Sequence, residues 1–259
     1  MGRTARRQTI ATDSPAAFST VDRGEIARFA ALADAWWDLE GKLKPLHRMN
    51  PVRLAFLRDR LIRHFGRDAA ATRPFAGLGL LDIGCGGGLV AEPMTRLGFA
   101  VTGIDAAAET IGTAKAHAEQ VGLTIDYRAV PVEALAAEAE RFDVVLALEI
   151  VEHVADLGAF CAAAASVLKP GGALVAATLN RTAKAYLLAI IGAEYVLQWL
   201  PRGTHDWTKF VRPSELAGAL RRNALHVAEI AGVTYSPLDG CWSLSRDLEV
   251  NYMMLAVKS

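Results

Sequence analysis

The residues best suited to chemistry fall in two short runs and one isolated acid. The first run is Leu80-Leu81-Asp82-Ile83-Gly84-Cys85-Gly86-Gly87-Gly88, an apolar stretch that carries an acid and opens into a glycine-rich turn. Glycine at such a turn permits positive φ and lets a ligand approach the backbone closely. A plain strand-to-helix turn needs one or two glycines, whereas four stand here beside a carboxylate. The isolated acid is Asp105, 23 residues after Asp82, where a carboxylate can accept both ribose hydroxyls of a nucleoside or, more simply, cap a helix. The second run is Glu149-Ile150-Val151-Glu152-His153. Its acids and imidazole stand at i, i+3 and i+4, so on a helix they share one face. There they could hold a hard divalent cation such as Mg²⁺, with His153 alternatively a general base on a phenol. The plainer reading is a solvated helix start whose acids favour the helix dipole.

Two cofactor chemistries compete for the glycine turn. Gly86, Gly88 and Ala91 fit the G-x-G-x-x-A spacing of nicotinamide oxidoreductases, a weak match when it stands alone. Asp82 argues against it, because a carboxylate repels a pyrophosphate that seeks free amides and a helix N-terminus. S-adenosylmethionine carries an ammonium and a sulfonium and no phosphate, so the acid favours it. On this reading Asp82, Gly84 and Gly86 receive the cofactor, Asp105 its ribose, Val132 and Glu133 lie near the adenine edge, and Leu148 covers the ring face. Methyl transfer to a phenol of pKa about 10 needs a base or a metal to raise the phenolate fraction. That need gives Glu149, Glu152 and His153 a role.

Positioning these residues requires alternating strands and helices. Short apolar runs at 80–83, 100–104, 125–128, 144–148 and 173–178 alternate with Ala-rich helical stretches at 89–97, 110–121, 133–140 and 157–168, the pattern of βαβ units and a parallel sheet. Lys169-Pro170-Gly171-Gly172 ends the last of these helices. Ahead of the sheet, Asp22 and Glu25 suggest a capping box for a helix through Ile26, Phe29, Ala33, Trp36 and Trp37 up to Gly41. A second helix is expected to start after Pro51 and to end near Gly66. Beyond 178 come an insertion at 180–211, a helix near 214–222 and two strand-like runs, 227–233 and 252–257, expected to pair as an edge hairpin.

Composition narrows the partners. The 259 residues are 52% apolar and suffice for one decorated α/β domain, 21–259, behind a tail at 1–20 whose arginines could also mark a transit segment. Acidic and basic residues balance at 28 each, which gives no field to attract nucleic acid. Three scattered cysteines read as free thiols in a reducing compartment. Residues 185–200 are strongly apolar and flanked by Arg181, Lys184, Arg202 and Lys209, which suits a lid, an interfacial helix or a core helix.

These residues resemble the UbiG-type ubiquinone-biosynthesis O-methyltransferases from about residue 21 to the C-terminus. The likeness rests on Trp36-Trp37-Asp38-Leu39-Glu40-Gly41, Lys44-Pro45-Leu46-His47-Arg48, the run 82–88, Glu152-His153-Val154, Thr178-Leu179-Asn180-Arg181, Gly203-Thr204-His205-Asp206 and Val250-Asn251-Tyr252-Met253. It implies the class I methyltransferase fold, Rossmann-like, with a seven-stranded, mostly parallel sheet, one antiparallel edge strand and helices on both faces. It further implies that Arg53, Gly84, Asp105 and the position of Leu148 contact S-adenosylmethionine, although Leu148 replaces the methionine expected there. Glu149, Glu152 and His153 fall where the family places a metal-binding group. The implied substrates are a polyprenyl catechol at an early step and 3-demethylubiquinol at a late one. The implied setting is cytoplasmic, peripheral to the inner face of the membrane or on the mitochondrial matrix side, with a quinone-biosynthesis complex as a further partner. Two rival classes stay open here: a nicotinamide-dependent oxidoreductase, and a non-catalytic lipid-binding assembly protein of the same pathway.

Overall fold

The computed structural model of the chain describes Thr20, Asp22, Gly24, residues 33–188 and residues 206–259. Eight strands form one sheet: β1 Gly79–Ile83, β2 Ala100–Ile104, β3 Asp126–Arg128, β4 Phe142–Leu148, β5 Leu168–Leu179, β6 Leu225–Ser236, β7 Cys241–Ser245 and β8 Asn251–Lys258. Their order is β3-β2-β1-β4-β5-β8-β6-β7. The first five are parallel neighbours, and β8, β6 and β7 follow in successive antiparallel pairings.

The expected class of fold is present, with one strand more than the seven anticipated and a different edge. The 227–233 and 252–257 runs do pair, as β6 and β8, yet they are not a hairpin. The hairpin is β6–β7, closed by a turn in which Gly240 takes φ of +69°, and β8 then inserts between β5 and β6. Strand β7 was hard to foresee because only Trp242 and Leu244 of its five residues face the core while Cys241 and Ser243 are exposed.

Helices cover both faces. On one face α1 (Lys44–His64), α2 (Ala91–Arg96) and α3 (Ala108–Gln120) bury Phe56, Leu57, Leu61, Met94, Ile111 and Ala114 against Leu80, Val101 and Val144. On the other, α4 (Val132–Ala137), α5 (Leu157–Ser166) and α7 (Pro213–Arg221) bury Leu135, Phe160, Ala164, Leu216 and Leu220 against Leu81, Ile104 and Val145. Each large apolar side chain so buried contributes roughly 1.5–3 kcal/mol. Between β5 and α7 a short helix, α6 (Ala183–Ala185), opens the insertion.

Helix α1 begins well before the expected start at Pro51. Pro45 occupies its first turn and Pro51 lies inside, because Met49 and Asn50 belong to the buried face that the following turns extend. The internal proline removes one backbone donor, which packing offsets. The N-terminal helix expected up to Gly41 falls partly outside the described residues, at 23 and 25–32. Of its described residues Gly24 is helical, Ala33–Ala35 form a 3-10 turn, and Trp36 to Leu43 run as turns in which Asp38 accepts from the Glu40 amide. Thr20, which the sequence placed in the tail, is buried and bonded.

Candidate active site

Parallel pairing in register places the C-terminal ends of three strands side by side. Ile83 lies opposite Ile104 of β2 and Ala147 of β4, so Gly84, Asp105 and Glu149 leave the sheet at one edge, where ligands of open α/β sheets sit. The amides of Gly84 and Cys85 both donate to the Ile104 carbonyl, at 2.8 and 3.0 Å. Gly84 holds φ of +69°, and a Cβ there would stand 3.0 Å from the Ile150 side chain, so the turn and the loop after β4 pack directly on each other. Asp105 braces the site: Oδ2 accepts from the Gly86 amide at 3.1 Å and Oδ1 from the Ala107 amide at 2.9 Å. Each oxygen keeps a further lone pair for a ligand hydroxyl. Burial holds the Asp105 carboxyl above its ordinary pKa, against the pull of the Ala107 and Gly86 amides.

Beneath the turn three charged groups meet. Asp82 is 3% exposed and Arg53, from α1, is 4% exposed. The Arg53 guanidinium stands 3.7 Å from Glu149 Oε1 and 3.4 Å from Asn50 Oδ1. Burial pushes the Asp82 carboxyl up to about 7 even though Arg53 pulls it down, and its Oδ2 has no hydrogen-bond partner. Burial likewise lowers the Arg53 pKa, with Glu149 and Asp82 opposing. Arg53, Asp82, Gly84, Gly86 and Asp105 thus lie together at this end of the sheet.

The run 149–153 departs from expectation. It is a series of turns, and the helix begins only at Leu157, where the Asp156 side chain caps it by accepting from the Ala159 amide at 2.9 Å. Glu149 takes φ of +53°, outside the α-helical region, while its amide continues the β4–β5 ladder by donating to Ala177. The acids and imidazole therefore do not share a helical face. Glu152 is 4% exposed and accepts from Thr178 Oγ1 at 2.7 Å, tying the loop to the end of β5. His153 is half-buried, its amide bonded to the Ile150 carbonyl at 2.9 Å. Glu149 faces Arg53 and Glu152 faces Thr178, and among the described residues no three His, Cys, Asp or Glu gather as a metal-holding group. The residues as placed do not fit the Mg²⁺ site that the sequence suggested.

Of the residues expected near adenine, Val132 opens α4 and is buried, and Leu148 ends β4 with its side chain in the core. Glu133 is engaged otherwise than expected: its Oε1 accepts from the Thr20 amide at 3.0 Å and from Thr20 Oγ1 at 2.6 Å. The Thr20 carbonyl in turn accepts from the Ala155 amide at 2.8 Å, so one residue joins the loops that follow β3 and β4.

Sequence reasoning missed what lies over the glycines. A Cβ on Gly86 or Gly87 would come within 2.0 or 2.1 Å of the Trp36 ring, so these glycines admit an indole. Trp37 Nε1 donates to the Gly87 carbonyl at 3.1 Å, and its ring stacks on His117 at 3.5 Å. His117 meets the buried Glu92 carboxylate at 2.5 Å. The tandem tryptophans, rare residues side by side in a polar stretch, were the available signal.

The insertion is described only at its ends, and most of the apolar run at 185–200 lies outside the described residues. Tyr186, Leu187 and Leu188 are exposed, as is Trp207, whose ring meets Tyr186 edge-on. Lys184 pairs with Asp247 and Glu249, Arg181 with Glu215 and Lys209 with Asp22. No helix among the described residues is long and apolar enough to cross a membrane.

The doubly covered sheet, with an acid at one strand end and a glycine bend at another, defines a class I S-adenosylmethionine-dependent methyltransferase. The family model "Methyltransferase domain" matches residues 81–176. The magnesium protoporphyrin IX methyltransferase from Synechocystis PCC 6803, solved with bound SAM, shares the fold at a TM-score of 0.59 and 16% identity, covering 97% of this chain and 100% of that one. The protein PH0226 from Pyrococcus horikoshii shares it at a TM-score of 0.61 and 14% identity, over 90% of this chain and 99% of that one. Several relatives carry the name ubiquinone biosynthesis O-methyltransferase. That of Paramagnetospirillum magneticum is 57% identical over 92% of this chain and 96% of its own, and that of Chelativorans sp. 56% over 93% and 95%. The chain belongs to the ubiquinone biosynthesis O-methyltransferase family.

Proposed function

We propose that the protein methylates a ring hydroxyl of polyprenylated phenols at two points of ubiquinone biosynthesis, the early polyprenyl catechol and the late 3-demethylubiquinol. Family membership over nearly the whole chain is the observation that carries this reading. S-adenosylmethionine, when bound, supplies an electrophilic methyl group, so a C–O bond forms as the C–S bond breaks.

The residues of this chain hold and prepare the reactants. Asp105 receives the ribose hydroxyls with the lone pairs that Gly86 and Ala107 leave available. Asp82, Arg53, Gly84 and Gly86 hold the amino-acid end, and Val132 and Leu148 flank the adenine. His153 takes the phenolic proton as the oxygen attacks, a general-base role worth roughly 10²–10⁴ in rate. Glu152, through Thr178, fixes the loop that carries His153, and Glu149 balances the charge of Arg53. Alignment of oxygen, methyl carbon and sulfur supplies the larger part of the acceleration.

Exposed Tyr186, Leu187, Leu188 and Trp207 suit the headgroup level of a bilayer, where a polyprenylated ring is delivered. The expected setting is peripheral, at the cytoplasmic or matrix face, with other enzymes of quinone biosynthesis as neighbours. In vesicle flotation, Leu187→Glu combined with Leu188→Glu should release the protein from anionic liposomes, and unchanged co-flotation would remove the membrane reading.

Turnover tests the whole. Purified protein with S-adenosylmethionine should add one methyl group to short-chain analogues of both substrates, read by mass spectrometry. Cofactor binding with no methylation of either analogue would leave a non-catalytic pathway protein.

A further inference from the structure

Besides the Tyr127 hydroxyl over Gly88, three buried polar atoms around the glycine turn lack hydrogen-bond partners: Trp36 Nε1, Arg53 Nε and Asp82 Oδ2. Trp36 is 7% exposed, so its N–H is shut off from solvent. A buried donor without an acceptor costs about 1–3 kcal/mol, and such atoms in a ligand site mark what the ligand must bring.

The three atoms surround one stretch of backbone. The Trp36 ring rests on Gly86 and Gly87, with Nε1 2.7 Å from where a Gly87 Cβ would be, and packs with Leu89. Asn50 donates to the Leu89 carbonyl at 2.8 Å and accepts from Arg53 at 3.4 Å, which links the arginine to the same turn. Asp82 precedes the turn on β1. Two donors thus call for an anionic acceptor and one acceptor calls for a cationic donor. A phosphate satisfies the donors and is repelled by the acid, and a simple cation does the reverse. An α-amino acid zwitterion supplies carboxylate and ammonium on one carbon.

We propose that Trp36 is a further cofactor-binding residue, its indole Nε1–H donating to the carboxylate of the methionine end of S-adenosylmethionine. The ring serves as the wall over Gly86 and Gly87, and the N–H gives that wall a polar edge. This assignment rests on the cofactor reading, since a ligand with an amino-acid end satisfies the orphaned donors and the orphaned acid together.

Trp36→Phe keeps a ring and deletes the N–H. By calorimetric titration it should bind S-adenosylhomocysteine about tenfold more weakly than wild type, the loss expected for a hydrogen bond to a charged group. Its affinity for 5′-methylthioadenosine, which lacks the amino-acid end, should stay within about twofold. Equal affinity of variant and wild type for S-adenosylhomocysteine would overturn the proposal. So would equal weakening towards both ligands, which would leave the ring as a wall only. Should the variant not fold, the wild type still decides: tight binding of the methyl ester of S-adenosylhomocysteine, equal to that of the free acid, would show the carboxylate unrecognised. If the wild type binds none of these ligands, the cofactor reading itself fails.

Discussion

The two halves of the site are built by different means. The half assigned to the cofactor hangs on strand ends: β1 and β2 deliver Asp82, Gly84 and Asp105 in register, and the Gly86 and Ala107 amides donate hydrogen bonds to the Asp105 carboxylate, locking the turn against the next helix. The half assigned to the acceptor hangs on a series of turns, 149–156, tied to its surroundings at separate points: the Glu149 amide on Ala177, the Glu152 carboxylate on Thr178 and the Ala155 amide on Thr20. Ladder hydrogen bonds are shared among many residues, whereas a loop tied at a few separate points depends on each. Changes in the first half should therefore act on binding and changes in the second on turnover.

The sharpest test of that division is His153→Ala. Loss of a general base should lower turnover by roughly 10²-fold or more while the dissociation constant for S-adenosylhomocysteine holds. A fall in both would mean that the loop also shapes the cofactor half. Next in size is Asp105→Ala. It removes a carboxylate that braces two backbone amides and, on the proposed reading, two ribose hydroxyls, so affinity should fall about 10- to 100-fold in calorimetry. Unchanged affinity would reduce Asp105 to a brace and blur the comparison.

A smaller effect lies in the pH dependence. Below about 7 the buried Asp82 is protonated and offers an ammonium no charge, and above it the carboxylate is ionised. Cofactor affinity should therefore rise with pH up to about 7 and level off before the cofactor's own amine, of pKa about 8, loses its proton. Asp82→Asn should bind more weakly at pH 7.5 and flatten that rise. Since burial also raises Asp105, a residual slope in the variant reports Asp105. A slope identical to wild type would take Asp82 out of the cofactor half.

The same contrast explains what the sequence disclosed. Asp82, the glycines and Asp105 were legible because a buried strand ending at a fixed place in a parallel sheet points its next residues in one direction. Glu149, Glu152 and His153 were identified, yet their arrangement was misread, since i, i+3, i+4 spacing has meaning only on a helix. Glu149 at positive φ breaks that helix before it starts. Strand β7 escaped notice because an edge strand with one apolar face leaves only Trp242 and Leu244 as a pattern. The Trp36 and Trp37 contacts join residues some 50 positions apart, and no local periodicity encodes them.

Thr178→Val addresses the acceptor half at its anchor and carries the smallest expected effect. Thr178 is fully buried, and valine matches its shape while removing the hydroxyl that donates to Glu152. Loss of that bond to a buried carboxylate should cost about 1–3 kcal/mol of stability, visible as a lower denaturant midpoint at unchanged slope. Cofactor affinity should not move, because β5 reaches the glycine turn only through β4. Turnover should fall several-fold with the loop less firmly held. If Glu152 instead serves mainly a bound metal, the same variant would leave stability untouched and shift the Mg²⁺ dependence of turnover, and the acceptor half would be a metal site that assembles only with its ligand present.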